Sequence, residues 1–382
     1  MQSNRINKLI IRLIENTITE EESEQLAEWL KGEKNLNYFN EYIAANQLIS
    51  ERKKYEPTKT IHQLVFNKNT KKKKSKYVYF AAAAITILAV TLYWFQPTHQ
   101  FTSPSSINTP VIVNNQIKIG SNKAILTLSN GTKITLGEKT NYRTPFIKTD
   151  SASISYTAIE SPASEMAYNI LTIPRGGQYT LNLSDGSTII LNSESEIKFP
   201  VSFLNGKLRE VELLYGEAYF SIASSRKNGG SKFMVHQGKQ TVEVLGTKFN
   251  IKAYKGDKKI TTTLIEGKIA IHYNNNSKTM EPNNQATSNL TNGSLNIKKT
   301  NVKADISWKD GEFSFKEENL KTIMEVLSRW YDMKVVFDNP TLENVKFKGV
   351  LRKNQSIEEI LSIMMSTSIN TYEINDKKII LK

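Results

Sequence analysis

Residues 126–136 read LTLSNGTKITL, and residues 181–191 read LNLSDGSTIIL. Each copy alternates apolar and polar side chains on either side of a Ser-Asn-Gly or Ser-Asp-Gly break. That is the period of two expected for a strand, a turn and a returning strand. Asn-Gly and Asp-Gly supply the positive φ that a tight hairpin turn needs. Two copies are too few to define a solenoid, so the match predicts a β region with an internal echo. Working outward, the alternation continues through REVELLYGEAYFSIA (209–223), KFMVHQGKQTVEVLGTKFNIKAY (232–254) and TTTLIEGKIAIHYN (261–274). Gly216, Gly246 and Gly267 interrupt these runs and predict bulges or close backbone approaches. The β-rich region is expected over residues 111–298, with its core over 170–275.

Beyond it, residues 311–382 read as a compact α+β unit. GEFSF, MKVVFD, VKFKGVL, TYEIN and KKIILK have strand character. Leu320, Ile323, Met324, Leu327 and Trp330 share one helical face. Ser356 and Glu359 form a capping box that opens a helix carrying Ile360, Leu361, Met364 and Met365. The order β-α-β-β-α-β, closed by a hairpin around Asp376, predicts a split βαβ unit. The methionines fall on the apolar face and read as core filler.

At the other end, residues 1–70 predict a small all-α bundle. Ile6, Leu9, Ile10, Leu13 and Ile14 recur at helical spacing. Thr19 and Glu22 form a capping box before a helix with Leu26, Trp29 and Leu30 on one side, and Phe39, Tyr42, Ile43 and Leu48 form a third periodic stretch. Helices this short are marginal alone, and a thin core invites a partner. Leu26, Trp29 and Leu30 are the candidate partner contacts or their immediate support, because Trp is enriched at binding hot spots.

Residues 77–95, YVYFAAAAITILAVTLYWF, contain no charge and carry aromatic residues at both ends. Their length matches the hydrocarbon thickness of a bilayer, which predicts one transmembrane helix. Lys71, Lys72, Lys73, Lys74 and Lys76 precede it, and the following linker, 97–110, begins without positive charge. The positive-inside rule therefore predicts a cytoplasmic N-terminus and a periplasmic C-terminal bulk at the inner membrane. The apolar run begins too far from residue 1 for a cleaved signal peptide. The expected fold class is a multidomain membrane protein: an all-α bundle, a transmembrane helix, an all-β periplasmic domain (sandwich or solenoid-like) and an α+β split βαβ domain.

The chain has 382 residues, a formal net charge of +14 and no cysteine. Disulfides, zinc thiolates and thiol catalysis are thereby excluded. Apart from the lysine block the positive charge is scattered, which argues against direct nucleic-acid binding. His62, His99, His236 and His272 show no metal-ligand spacing, and neither a GxSxG motif nor a P-loop is present. PRGG at 174–177 is a lone turn-like element. Asp185 and Glu194 are the one imaginable acid pair, but carboxylates near turns are common. No catalytic residue, cofactor or metal is assigned, and an enzyme is not expected.

With these segments in view, the chain resembles the FecR-type transmembrane anti-sigma factors in their Bacteroidetes form. The resemblance runs in order through TIPRGGQYTLNLSDGSTIILNSESEIKFP, LLYGEAYFSI, FMVHQGKQTVEVLGTKFNIKAY and LIEGKIAI. WKDGEFSFKEENLKTIMEVLSRWYDMKVVFD is similar to the small domain that follows the FecR region, itself like the short N-terminal domain of secretins and TonB-dependent receptors. EEESEQLAEWLKGEKN is similar to the family's cytoplasmic region. The resemblance implies that the helices sequester an extracytoplasmic-function sigma factor, and that the periplasmic part receives a signal from the N-terminal domain of a TonB-dependent outer-membrane transporter. An envelope scaffold that binds no sigma factor is the alternative, and a tethered periplasmic enzyme stands behind it for want of a catalytic constellation.

Overall fold

The computed structural model describes residues 19–30 with Leu9, Gly32, Asn35 and Phe39, and then 110–138, 140–158, 167–204, 206–365 and 369–382. The chain divides into two compact units, Met1–Thr102 and Ser103–Lys382. In the first, α1 (Glu20–Leu30) opens with the anticipated capping box. Glu22 N donates to Thr19 Oγ1 at 3.3 Å, and Thr19 N donates to Glu22 Oε2 at 3.1 Å. Leu26 and Leu30 are buried, as are Leu9 and Phe39, while Trp29 is half-buried. Asn35 Nδ2 donates to the Trp29 carbonyl at 2.9 Å and so satisfies one acceptor at the helix end.

The expected fold class needs correction. The described chain is mostly β structure, and an all-α bundle is not shown. Besides α1, the named helices are α2 (Val302–Asp305), α3 (Leu320–Tyr331) and α4 (Ile357–Met365). The longest has 12 residues and reaches about 18 Å, against a hydrocarbon thickness of about 30 Å. No helix among the described residues is long and apolar enough to cross a membrane. The stretch 77–95, the lysines 71–76 and the linker up to residue 109 lie outside the described residues.

In the second unit, β1 (Val111–Val113) precedes two nine-stranded sheets. One runs β3 (Lys133–Gly137), β2 (Ser121–Thr127), β6 (Tyr168–Ile173), β9 (Ser195–Pro200), β10 (Arg209–Ser221), β11 (Phe233–Gln237), β12 (Gln240–Val244), β15 (Ile269–Tyr273), β16 (Asn276–Met280). The other runs β4 (Ile147–Thr149), β5 (Ser153–Tyr156), β7 (Gly177–Asn182), β8 (Thr188–Leu191), β10, β13 (Lys248–Ala253), β14 (Lys259–Glu266), β17 (Asn284–Asn289), β18 (Leu295–Lys299). The sheets share β10 and are bridged again where β2 pairs in parallel with β7. Strands β10, β9, β6, β2, β7 and β8 therefore close a barrel with two open wings. This replaces the expected sandwich or solenoid. One apolar core lies between the sheets and draws alternate residues from both, among them Leu126, Leu171, Leu213, Phe220, Phe249 and Ile271.

Strand β10 passes from one sheet to the other at Gly216. Up to Tyr215 it pairs with β9 and β11, and from Gly216 onward it pairs with β13 and then β8. Gly216 has φ 102, and a Cβ there would lie 2.2 Å from Ser195 Oγ. Only a residue without a side chain fits this backbone and this approach. The two repeats do form hairpins, β2–β3 and β7–β8. Their turns differ from a tight turn with two positive φ values, since only Gly131 (φ 85) and Gly186 (φ 84) are left-handed. In each copy the pair of backbone bonds around the loop (Leu128 to Thr132 and Leu183 to Ser187) fits a turn ending in a glycine bulge.

The C-terminal elements are β19 (Glu312–Asn319), α3, β20 (Lys334–Phe337), β21 (Lys346–Arg352), α4, β22 (Tyr372–Asn375) and β23 (Lys378–Leu381). They form two sheets where a split βαβ unit would have one. A four-stranded sheet runs β1-β22-β23-β20, and β19 pairs only with β21. The β19–β21 ladder shifts register between Phe315 and Glu318, where Glu317 takes φ 54. This bulge sets the pair apart as a bent ribbon. β1 joins in parallel beside β22, so residues 111–113 belong to this sheet and not to the β region that follows them. Leu320, Ile323, Met324, Leu327 and Trp330 are buried in the anticipated face, and Ser356 with Glu359 forms the second capping box.

Gly216→Ala is expected to lower stability by about 3 kcal/mol or more, combining left-handed strain with overpacking. Gly349→Ala, where an added Cβ meets nothing within 4 Å, should change it far less. Urea denaturation of both variants checks this.

Candidate functional site

A helix ends with carbonyls that its own backbone cannot satisfy. α3 ends in a local left-handed cap, with Asp332 N and Met333 N (3.1 Å) donating to Ser328 O, and the loop Pro174–Gly177, between β6 and β7, adds further donors. Gly176 N donates to Arg329 O at 2.7 Å. Arg175 Nη2 donates to Ser328 O at 2.6 Å and Met333 O at 2.9 Å. The guanidinium thus caps the negative end of the helix dipole. Its other face meets two carboxylates: Nη1 lies 3.0 Å from Glu194 Oε2, and Nε lies 3.5 Å from Asp332 Oδ1. Glu194 (φ 58) and Asp332 (φ 48) both hold left-handed backbone, a strain tolerated where surroundings over-determine a conformation. Arg329 reaches back, with Nε 3.5 Å from Glu194 Oε2 and its guanidinium 3.9 Å from the Tyr254 ring centre. Arg175, Glu194 and Asp332 are about a third exposed, so solvent screens the ion pairs and the carbonyl bonds carry more of the attachment.

Beside this latch lies a buried lysine. Lys353 is 5% exposed. Its Nζ sits 3.7 Å from the Trp330 ring centre and 5.9 Å from that of Trp308, and it donates to Trp308 O at 3.3 Å and to Gln178 Oε1. Trp330 Nε1 donates in turn to Lys353 O at 2.9 Å. Burial pushes the Lys353 pKa down to about 7, and the charge of Glu217 only partly opposes it. Cation–π attraction and two acceptors offset part of the desolvation cost.

Glu217 belongs to a polar surface on the outer face of the second sheet. Its carboxylate accepts from Asn192 Nδ2 and Asn250 Nδ2, each at 3.0 Å, and from Tyr254 OH at 3.4 Å. Burial, followed by the Glu217 charge, holds the Tyr254 hydroxyl well above the usual tyrosine range. Nearby, Asp305 accepts from Thr263 Oγ1, Gln285 Nε2 and Thr300 Oγ1 at 2.9–3.0 Å. A cavity of about 550 Å³ separates this face from Trp308, β19 and α3.

The imagined acid pair is not assembled. Asp185 is consumed by a buried ion pair with Arg209 at 2.7 Å, both side chains 1% exposed, while Glu194 serves the latch. PRGG proves to be a helix-end clamp. Leu26 and Leu30 are interior, which leaves Trp29 as the partly accessible member of that trio. Lys71, Lys72, Lys73, Lys74 and Lys76 lie outside the described residues. Sequence reasoning missed Lys353, Trp308 and Arg209. WKDGEF carries a Trp that its local strand pattern does not explain, but nothing around Lys353 marks it as buried. Among the described residues, no group of three or more His, Cys, Asp or Glu could hold a metal ion.

A depressed lysine pKa makes folding release a proton, so its contribution is fully present above the ordinary lysine pKa and lost as pH falls through about 7. Stability measured by urea denaturation should therefore rise from pH 7 to pH 9. Lys353→Met should flatten that rise relative to the wild type.

The FecR protein family matches residues 169–270, and the FecR C-terminal family matches residues 312–381. Two crystal structures of a candidate anti-sigma factor from Parabacteroides distasonis are similar, at 27% and 26% identity. Each alignment covers 56% of this chain and 98% of that one, with a TM-score of 0.50. No protein of curated function matches. The latch therefore joins the two matched domains, with Arg175 and Glu194 in the first and α3 and Asp332 in the second. Both domains present in order, together with a similar candidate anti-sigma factor, support a FecR-type anti-sigma factor.

Proposed function

We propose that the N-terminal unit sequesters an extracytoplasmic-function sigma factor, and that Ser103–Lys382 receives the releasing signal from the N-terminal domain of a TonB-dependent outer-membrane transporter. The observation that carries this reading is the pairing of a FecR domain with a FecR C-terminal domain in one chain. The short helix α1, with half-buried Trp29 above buried Leu26 and Leu30, suits a small domain that completes its burial on a partner. The uncharged stretch 77–95 behind five lysines supports placement at the inner membrane, with the N-terminus inside and the C-terminal bulk in the periplasm. Sequestration then needs no chemistry: holding the sigma factor away from RNA polymerase is enough.

Co-purification of the full chain with co-expressed extracytoplasmic-function sigma factors of its own organism tests the proposal. The complex is expected, and loss of the transporter's N-terminal domain should leave it intact under inducing conditions. Trp29→Ala should weaken the complex about thirtyfold, the scale of an aromatic anchor worth about 2 kcal/mol. Glu28→Ala should change it much less. Absence of the complex, or equal effects of the two substitutions, contradicts the proposal.

A further inference from the structure

The cavity between the outer face of the second sheet and the Trp308–β19–α3 elements contains two unmet hydrogen-bonding groups of opposite kind. Asn250 is 3% exposed, and its Nδ2 is spent on Glu217. Its Oδ1, a buried acceptor, meets no protein donor. Trp308 is 5% exposed, and its Nε1, a buried donor, meets no protein acceptor. Both residues line the same cavity. An unpaired buried polar atom costs about 1–3 kcal/mol, and of the five such atoms among the described residues these two belong to residues lining one cavity.

The remaining lining narrows what would pair with them. Six carboxylates and five cationic side chains border the space, nearly balanced in charge. The most buried of them are already committed. Glu217 accepts from three donors, Asp305 accepts from three, and Arg329 lies against Tyr254 and Glu194. A charged ligand would find no uncommitted counter-charge among these, and the lining lysines Lys258, Lys259 and Lys298 are exposed, where solvent screens their charge. A hydroxyl both donates and accepts, so one polyhydroxylated molecule can answer an acceptor such as Asn250 Oδ1 and a donor such as Trp308 Nε1. Trp308, Phe313 and Phe315 add apolar faces for the C–H side of a saturated ring. A volume of about 550 Å³ falls within the range of small-molecule sites.

We propose that this cavity is a binding site for a neutral polyhydroxylated small molecule of mono- to disaccharide size, held between Asn250 on the sheet and Trp308 on the segment facing it. Bound there, it would bridge the FecR domain and the region leading into the C-terminal domain, giving the chain a second input that does not depend on sigma-factor binding.

The chain has four tryptophans, so the indole N–H resonances of the full-length protein, labelled at tryptophan and held in a sugar-free detergent, are few enough to follow. Trp308→Phe assigns its resonance by deletion. The probes are glucose, N-acetylglucosamine, maltose and lactose, with citrate and glutamate as charged controls. At least one neutral sugar should shift the Trp308 indole resonance saturably while Trp330, already bonded to Lys353 O, moves less. Asn250→Leu should weaken that sugar about tenfold, the scale of one lost hydrogen bond to a buried group. Failure of all four sugars to shift the Trp308 resonance overturns the proposal. So does an affinity unchanged by Asn250→Leu, or a shift produced equally by citrate.

Discussion

Helix α3 ends on carbonyls that cannot be left bare; Asp332 and Met333 cap Ser328 O locally, and another domain supplies the donor for Arg329 O. The amide of Gly176 and the guanidinium of Arg175 add to the local cap of Leu320–Tyr331 three bonds from outside the domain. A helix whose last turn is completed by a loop 150 residues upstream is not a free appendage. The buried Lys353, stacked on Trp330 and bonded to Gln178 of β7, makes a second attachment a short way off. The FecR domain and the FecR C-terminal domain are therefore held as one body, with strained Glu194 and Asp332 fixing the approach.

What allows a loop to hold that position is the rigidity behind it. Strand β10 belongs to both sheets and changes over at Gly216. The barrel of β10, β9, β6, β2, β7 and β8 leaves little freedom at the point where Pro174–Gly177 emerges between β6 and β7. A signal delivered to such a body arrives as force or displacement of the whole, not as a loosening of one part. Under the proposed function that suits a receiver passing a mechanical or assembly event onward, and the proposed ligand in the polar cavity would stiffen the same junction.

Local features were legible because local chemistry decides them. The capping boxes Thr19–Glu22 and Ser356–Glu359, the buried face of α3, the two repeated hairpins and the break at Gly216 all follow from residues a few positions apart. Features set by partners far along the chain were not. Nothing in the three residues VIV announces that β1 pairs with β22 across the entire β region. The register shift in the β19–β21 ladder comes where Glu317 adopts a left-handed φ that its sequence does not advertise. PRGG looked like an idle turn because its partners, Ser328, Arg329 and Met333, lie in another domain. Lys353 reads as one more surface lysine until Trp308 and Trp330 close over it. The expected bundle and membrane-spanning architecture rested on periodicity and hydropathy in the first hundred residues, whereas the described chain is built mostly of strands.

Native-state hydrogen exchange at the Gly176 amide tests the central claim most directly. If the latch makes one body of the two domains, that amide opens with the same free energy as the Ile251 amide in β13, deep in the second sheet, and both respond alike to low concentrations of denaturant. Exchange of Gly176 through a separate, much lower-energy opening, with Ile251 still protected, would show that the helix leaves its cap freely and would contradict the account.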